Sequence, residues 1–188
     1  MKENAKKRIY SLTVSAVFVA LATALSFIKV YELPLGGSIT LFSMLPIIML
    51  AFMLEKKWSI GAAFCYALLQ LLFGITLDGM LGWGLTPLAL VGTVFLDYLI
   101  PFTCLGFAFL FGKKNIFTIA LGTVFVLILR FLCHFLSGVI LFDIWCEWDS
   151  VYLYSLIYNG SFMLPELILT TLGAVILFSL PQIKKLIK

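Results

Sequence analysis

Charge is scarce in this sequence, and so are the residues that usually carry catalysis. Only 12% of the 188 residues are charged, and there is a single histidine. A soluble domain carries about 25% charged residues and an apolar share of about 45–50%. Here 63% of the chain is hydrophobic, so a water-soluble globule is excluded and an integral membrane protein follows. No G-x-x-x-x-G-K-[ST] phosphate loop, H-E-x-x-H metal motif or nucleophile elbow occurs. ATP-driven work would therefore fall to another polypeptide, and neither catalytic residues nor a metal site is expected. The four cysteines lack C-x-x-C spacing; Cys65, Cys104 and Cys133 lie in apolar runs and read as small core residues. In a soluble protein the net charge of +4 would suggest nucleic acid, but its placement here points to a lipid bilayer instead.

What is present is a series of apolar runs, at residues 9–28, 41–54, 58–75, 87–111, 116–142 and 151–180. They predict an all-α, polytopic bundle of six transmembrane helices that takes up 1–188 as one membrane domain. The run at 9–28 follows a basic leader but exceeds the ~7–15 residues of a signal-peptide core, so it reads as the first span. Its Ala16, Ala20 and Ala24 form a stripe of small residues where another helix can approach closely. The second run is short and carries Pro46, which suggests a tilted, kinked or protein-sheltered helix; the sixth has room to bend at Pro165. Of the thirteen Lys and Arg, all but Lys29 and Arg130 fall in four segments. These are the leader, the Lys56-Lys57 turn, the Lys113-Lys114 turn and the tail with Lys184, Lys185 and Lys188. Six crossings place all four on one side, the cytoplasm, with both termini there. The opposite loops hold Glu32, Asp78, Asp143, Glu147 and Asp149. Residues 29–40, with Pro34 and Gly36-Gly37, and the glycine-rich 76–86 are long connections that read as lids.

Asp97, Arg130 and Glu166 are the only formal charges inside the spans, and His134 follows Arg130 by four residues on the same helical face. No lipid-facing surface tolerates them, so they must look into protein or a polar cavity. At ~1.5 Å per residue, Asp97 lies about 15 Å from the outer start of its helix, and His134 and Asn159 about 12 Å from the outer ends of theirs. Tyr98 stands beside Asp97, with Gly138 a turn above His134 and Tyr154 a turn above Asn159. The shared level argues for a pocket open to the outside. Its three charges sum to minus one, which a cationic ligand would cancel. Arg130 paired with Glu166 would leave Asp97 to that ligand. Trp83, Tyr98, Phe142, Trp145, Trp148, Tyr154 and Tyr158 supply faces for a flat cation, although the tryptophans equally suit an interfacial belt. Two structural alternatives stay open, a core histidine donating to a carbonyl and an Asp97–Arg130 ion pair.

The runs LDYLIPFTCLGFAFLFGKK, LRFLCHFLSGVILF and YSLIYNGSF, with GGSITLFSMLP near the second span, resemble the thiamine-specific substrate-binding subunit of energy-coupling factor (ECF) transporters. The resemblance implies vitamin uptake at a prokaryotic plasma membrane. It implies high-affinity capture of thiamine from outside, with no cofactor, and ATP used only by a complex of one transmembrane coupling subunit and two ATPase subunits. It implies ligand contacts from Asp97 and Tyr98, His134 and Gly138, Tyr154 and Asn159, with Phe142 and Trp83 as stacking aromatics. It also implies docking on the coupling subunit through Ala16 and Ala20. Three departures stand out: an aspartate where some members carry glutamate, Phe142 where a tryptophan can stack, and no tryptophan near Gly36-Gly37, whose role either passes to Tyr31 or Trp83 or is lost. Two competing functions are a self-sufficient carrier with Asp97, His134 and Glu166 as a proton relay, and an intramembrane enzyme using His134 with an acid.

Overall fold

An apolar run in lipid satisfies its backbone only by coiling on itself, and the long runs here do so. The computed structural model describes residues 2–33, 36–113 and 115–186. In chain order its elements are α1 (Lys2–Ser26), strands β1 (Lys29–Glu32) and β2 (Ser38–Thr40), α2 (Leu45–Met53), α3 (Lys56–Thr76), α4 (Pro87–Phe111), α5 (Ile116–Ile140), α6 (Val151–Ser179) and the short α7 (Pro181–Lys184). Pro34, Lys114 and Lys188, assigned above to a lid, a turn and the tail, lie outside the described residues. Among the described residues five helices are long and apolar enough to cross a membrane: α1, α3, α4, α5 and α6.

The second run, expected over 41–54, forms a helix of only nine residues. At ~1.5 Å per residue it spans about 13 Å, under half of a ~30 Å hydrocarbon layer. Its sequence, LPIIMLAFM, offers no polar face, so it is stable only where every side is covered. All nine residues are buried among α1, α3, α4 and α6. Phe52 meets Phe178 edge-on with ring centroids 5.4 Å apart, which ties α2 to the C-terminal end of α6. The carbonyl of Leu54 just past the helix accepts a 2.6 Å bond from Nζ of Lys113. Burial and the neighbouring Lys56 hold that ammonium below the ordinary lysine range.

Residues 29–40, expected to be a loop, contain an antiparallel hairpin that pairs Tyr31 with Ile39 and Glu32 with Ser38, with an irregularity between Lys29 and Tyr31. The all-α expectation is corrected by this small sheet. All four residues of β1 are exposed, so the strand has no hydrophobic face that would announce it in the sequence.

The fourth span is continuous but irregular. It is α-helical over Pro87–Thr93, widens to a π-turn over Val94–Leu99, returns to α over Ile100–Thr103 and tightens to 3₁₀ over Cys104–Phe111. Pro101 explains the widening: it has no N–H for the carbonyl four residues earlier, and its ring crowds that carbonyl. That residue is Asp97.

Candidate ligand-binding site

Polar side chains stranded on apolar helices must find one another, and the widened turn of α4 presents Asp97 to α5. Oδ1 of Asp97 lies 3.0 Å from Nδ1 of His134, and Oδ2 accepts a short bond from the Ser137 hydroxyl. A carboxylate only accepts, so Nδ1 carries the hydrogen, and in the neutral ring Nε2 is left as an acceptor. Nε2 is buried and has no hydrogen-bond partner among the described residues. Asn159 closes the third side: its Nδ2 donates to the carbonyls of His134 at 3.2 Å and Ser155 at 3.0 Å. The α5–α6 crossing is close because Gly138 has no side chain; a Cβ there would run into Oγ of Ser155 and crowd Nδ2 of Asn159.

Deeper along the same helices, the expected Arg130–Glu166 ion pair does not form. Oε1 of Glu166 accepts from the Thr40 backbone N–H at 2.5 Å and from the Thr40 hydroxyl at 2.6 Å, which fastens the end of β2 to α6. The Arg130 guanidinium lies over the Phe102 ring, 4.0 Å from its centroid, and Nε and Nη1 are buried without a protein acceptor. Asp97 is not left to a ligand alone either, since both its oxygens already accept. The physical reason is reach: matching depth says nothing about which way a side chain points around its helix, and the hairpin supplies Glu166 with nearer donors.

Between these groups lies a cavity of ≈ 170 Å³. Asp97, Tyr98, His134, Gly138, Tyr154 and Asn159 line it, as do the aromatics Trp83 and Phe142 and the charges Arg130 and Glu166. Ala16 and Ala20 do not; they are exposed on α1. Over the opening, Trp83 donates from Nε1 to the Asp78 carbonyl at 3.0 Å and meets Phe142 and Trp145 at centroid distances of 6.0 and 6.4 Å. Tyr31 is 58% exposed and takes no part in the lining. The hairpin is held over the cavity by a 3.2 Å bond from the Gly37 N–H to the Tyr158 hydroxyl and by Lys29, 3.8 Å from Asp78. Sequence reading missed Ser137, Ser155, Thr40 and Ser43. A serine or threonine in a span, or in the connection leading into one, is common enough to carry no signal until a neighbouring helix is placed beside it.

A family model described as thiamine transporter protein (Thia_YuaJ) matches residues 12–186. The chain belongs to the thiamine transporter family. Among members of known sequence, the thiamine transporter ThiT of Bacillus subtilis (strain 168) is 26% identical over 190 residues, covering 93% of each chain. In fold, the chain is similar to the solved structure of ThiT from Listeria monocytogenes, with a TM-score of 0.74 and 22% identity. That match covers 94% of this chain and 98% of the other. Family membership makes this a transporter and removes the intramembrane-enzyme reading, and its apolar helices make it a multi-pass membrane protein.

Proposed function

We propose that the cavity captures thiamine from outside a prokaryotic cell membrane, and that the whole chain acts as one membrane domain, the substrate-binding subunit of an ECF transporter. In this reading α2 counts as a sixth, protein-sheltered helix and both termini are cytoplasmic, the orientation that the lysine and arginine distribution supports. The observation that carries the reading is the joined set Asp97, His134 and Asn159, from three helices, on one wall of a cavity in a thiamine transporter family member. His134 Nε2 and the Asp97 carboxylate offer acceptors to the amino group of the pyrimidine. Asn159 fixes the ring of His134 by holding the backbone behind it. The thiazolium charge is met by the aromatic faces of Trp83 and Phe142, with Tyr154 and Tyr98 completing the walls and Gly138 leaving space. The hairpin and the 76–86 loop cover the opening, so that most of the ligand leaves water. Release inward needs partners: a transmembrane coupling subunit, docking on α1 at Ala16 and Ala20, and two ATPase subunits.

Calorimetry on detergent-solubilised protein tests this. Thiamine should bind far more tightly than other vitamins, and both Asp97→Asn and His134→Ala should lose that binding with the fold intact; unchanged affinity in both removes the site. A proton-driven carrier remains the competing reading, and the Asp97–His134 bond favours it. It requires thiamine accumulation by the chain alone in vesicles under a pH gradient, and uptake only after coupling subunits are added rejects it.

A further inference from the structure

Outside the cavity, where α4 ends and α3 begins, two ammonium groups meet without a counter-charge. Lys56, the first residue of α3, and Lys113, just past the end of α4, both reach the ring of Phe109, with Nζ 5.3 and 5.9 Å from its centroid. The ring attracts each cation only weakly. Neither lysine joins an ion pair among the described residues. Glu55, beside Lys56 in the chain, is taken by Lys57, whose Nζ lies 3.1 Å from its Oε2. Lys113 donates once, to the Leu54 carbonyl at 2.6 Å, and an ammonium has three donors. The two charges also feel one another, since Lys56 helps to hold Lys113 below the ordinary lysine range. Like charges gathered on one ring destabilise the fold, and an anion set between them would remove that cost.

The surroundings say which anion fits. Leu110 and Phe111, the last residues of α4, are 56% and 42% exposed, and they end a helix apolar enough to cross a membrane. Exposed side chains of that kind face acyl chains, so the lysines stand where hydrocarbon gives way to headgroups. A free inorganic anion gains nothing from the apolar rim. An amphiphile gains from both the rim and the charges. We propose that Lys56 and Lys113 form a binding site for the phosphate of an anionic phospholipid, whose acyl chains lie along Leu110 and Phe111. The phosphate oxygens accept charge-assisted bonds from the open donors of both ammoniums, with Phe109 as the floor behind them. This site is separate from the cavity and holds whichever ligand the cavity carries.

The test is native mass spectrometry of the full chain in neutral detergent, titrated with phosphatidylglycerol or with zwitterionic phosphatidylcholine of the same acyl chains. Wild type should retain phosphatidylglycerol in preference. Lys113 is also tied to Leu54, so Lys56, which is exposed, carries the test without risk to the fold. Lys56→Gln should weaken phosphatidylglycerol binding about fivefold, the usual share of one lysine at an anionic surface, and Lys56→Arg should keep it. A double variant, Lys184→Gln with Lys185→Gln, removes two positive charges elsewhere and should leave the binding unchanged. Equal retention of the two lipids by wild type overturns the proposal. So does a Lys184→Gln, Lys185→Gln protein that loses as much as Lys56→Gln, the mark of a general basic surface. The thermal midpoint in detergent should rise with phosphatidylglycerol and not with inorganic phosphate alone; an equal rise with both would make this a site for a free anion and overturns the lipid assignment.

Discussion

Nδ1 of His134 and Oδ1 of Asp97 stand 3.0 Å apart, on helices that bring together positions 37 residues distant in the chain. The carboxylate is also held by Ser137, so its length is matched to two donors at once. Glutamate, which the resemblance expects at this position, would carry the carboxylate about an ångström further toward α5.

Asp97→Glu is therefore expected to weaken thiamine binding by about tenfold, a loss of one well-made charged hydrogen bond. Adding Ser137→Ala to Asp97→Glu should recover part of it by giving the longer side chain room. Titration calorimetry of the single and double variants checks this, and no recovery in the double variant would show that Ser137 does not set the position of the carboxylate.

Gly138→Ala tests the helix crossing behind the site. The added methyl meets Ser155 and Asn159, so α5 and α6 must separate. Overpacking of this kind costs about 1–3 kcal/mol, and the thermal midpoint in detergent should fall together with ligand affinity. Ser155→Ala on the same background removes the nearest atom and should restore some of both. A Gly138→Ala protein with undiminished stability would mean that the crossing has slack.

Helix arithmetic was enough to set Asp97, His134 and Asn159 at one level, because a rise per residue is fixed by backbone geometry and needs no knowledge of neighbours. The direction each side chain takes around its helix is not fixed that way, which is why Arg130 and Glu166 were matched to each other and turned out to serve Phe102 and Thr40. The hairpin was illegible for another reason. With β1 fully exposed and β2 only three residues long, it is fastened at Thr40 by Glu166, more than a hundred residues away. The widening of α4 at Asp97 was readable in principle, since Pro101 stands four residues on.

The hold of Glu166 on Thr40 predicts a local effect. Glu166→Gln keeps an acceptor but removes its charge, so both bonds to Thr40 weaken and the hairpin should open more often. Hydrogen exchange over residues 38–40 should speed up about tenfold or more, while exchange in the middle of α5 stays unchanged. Uniform acceleration across the protein would mean that Glu166 supports the whole fold and not the lid.

Lys113 predicts a response to alkaline pH. Burial, and then the like charge of Lys56, depress its protonation in the folded state below the ordinary value of 10.5. Between the depressed value and 10.5 the unfolded chain binds more protons than the folded one, so stability contributed by this residue rises with pH through that window. Below the window the cost of the half-buried ammonium is fully present, offset in part by its bond to the Leu54 carbonyl. Thermal midpoints from pH 8 upward should therefore climb relative to those of Lys113→Gln, which has no proton to lose. Lys56→Gln should show a smaller climb, because one of the two causes has been removed. A wild-type midpoint that falls with pH relative to Lys113→Gln would show that the bond to Leu54 outweighs both burial and Lys56.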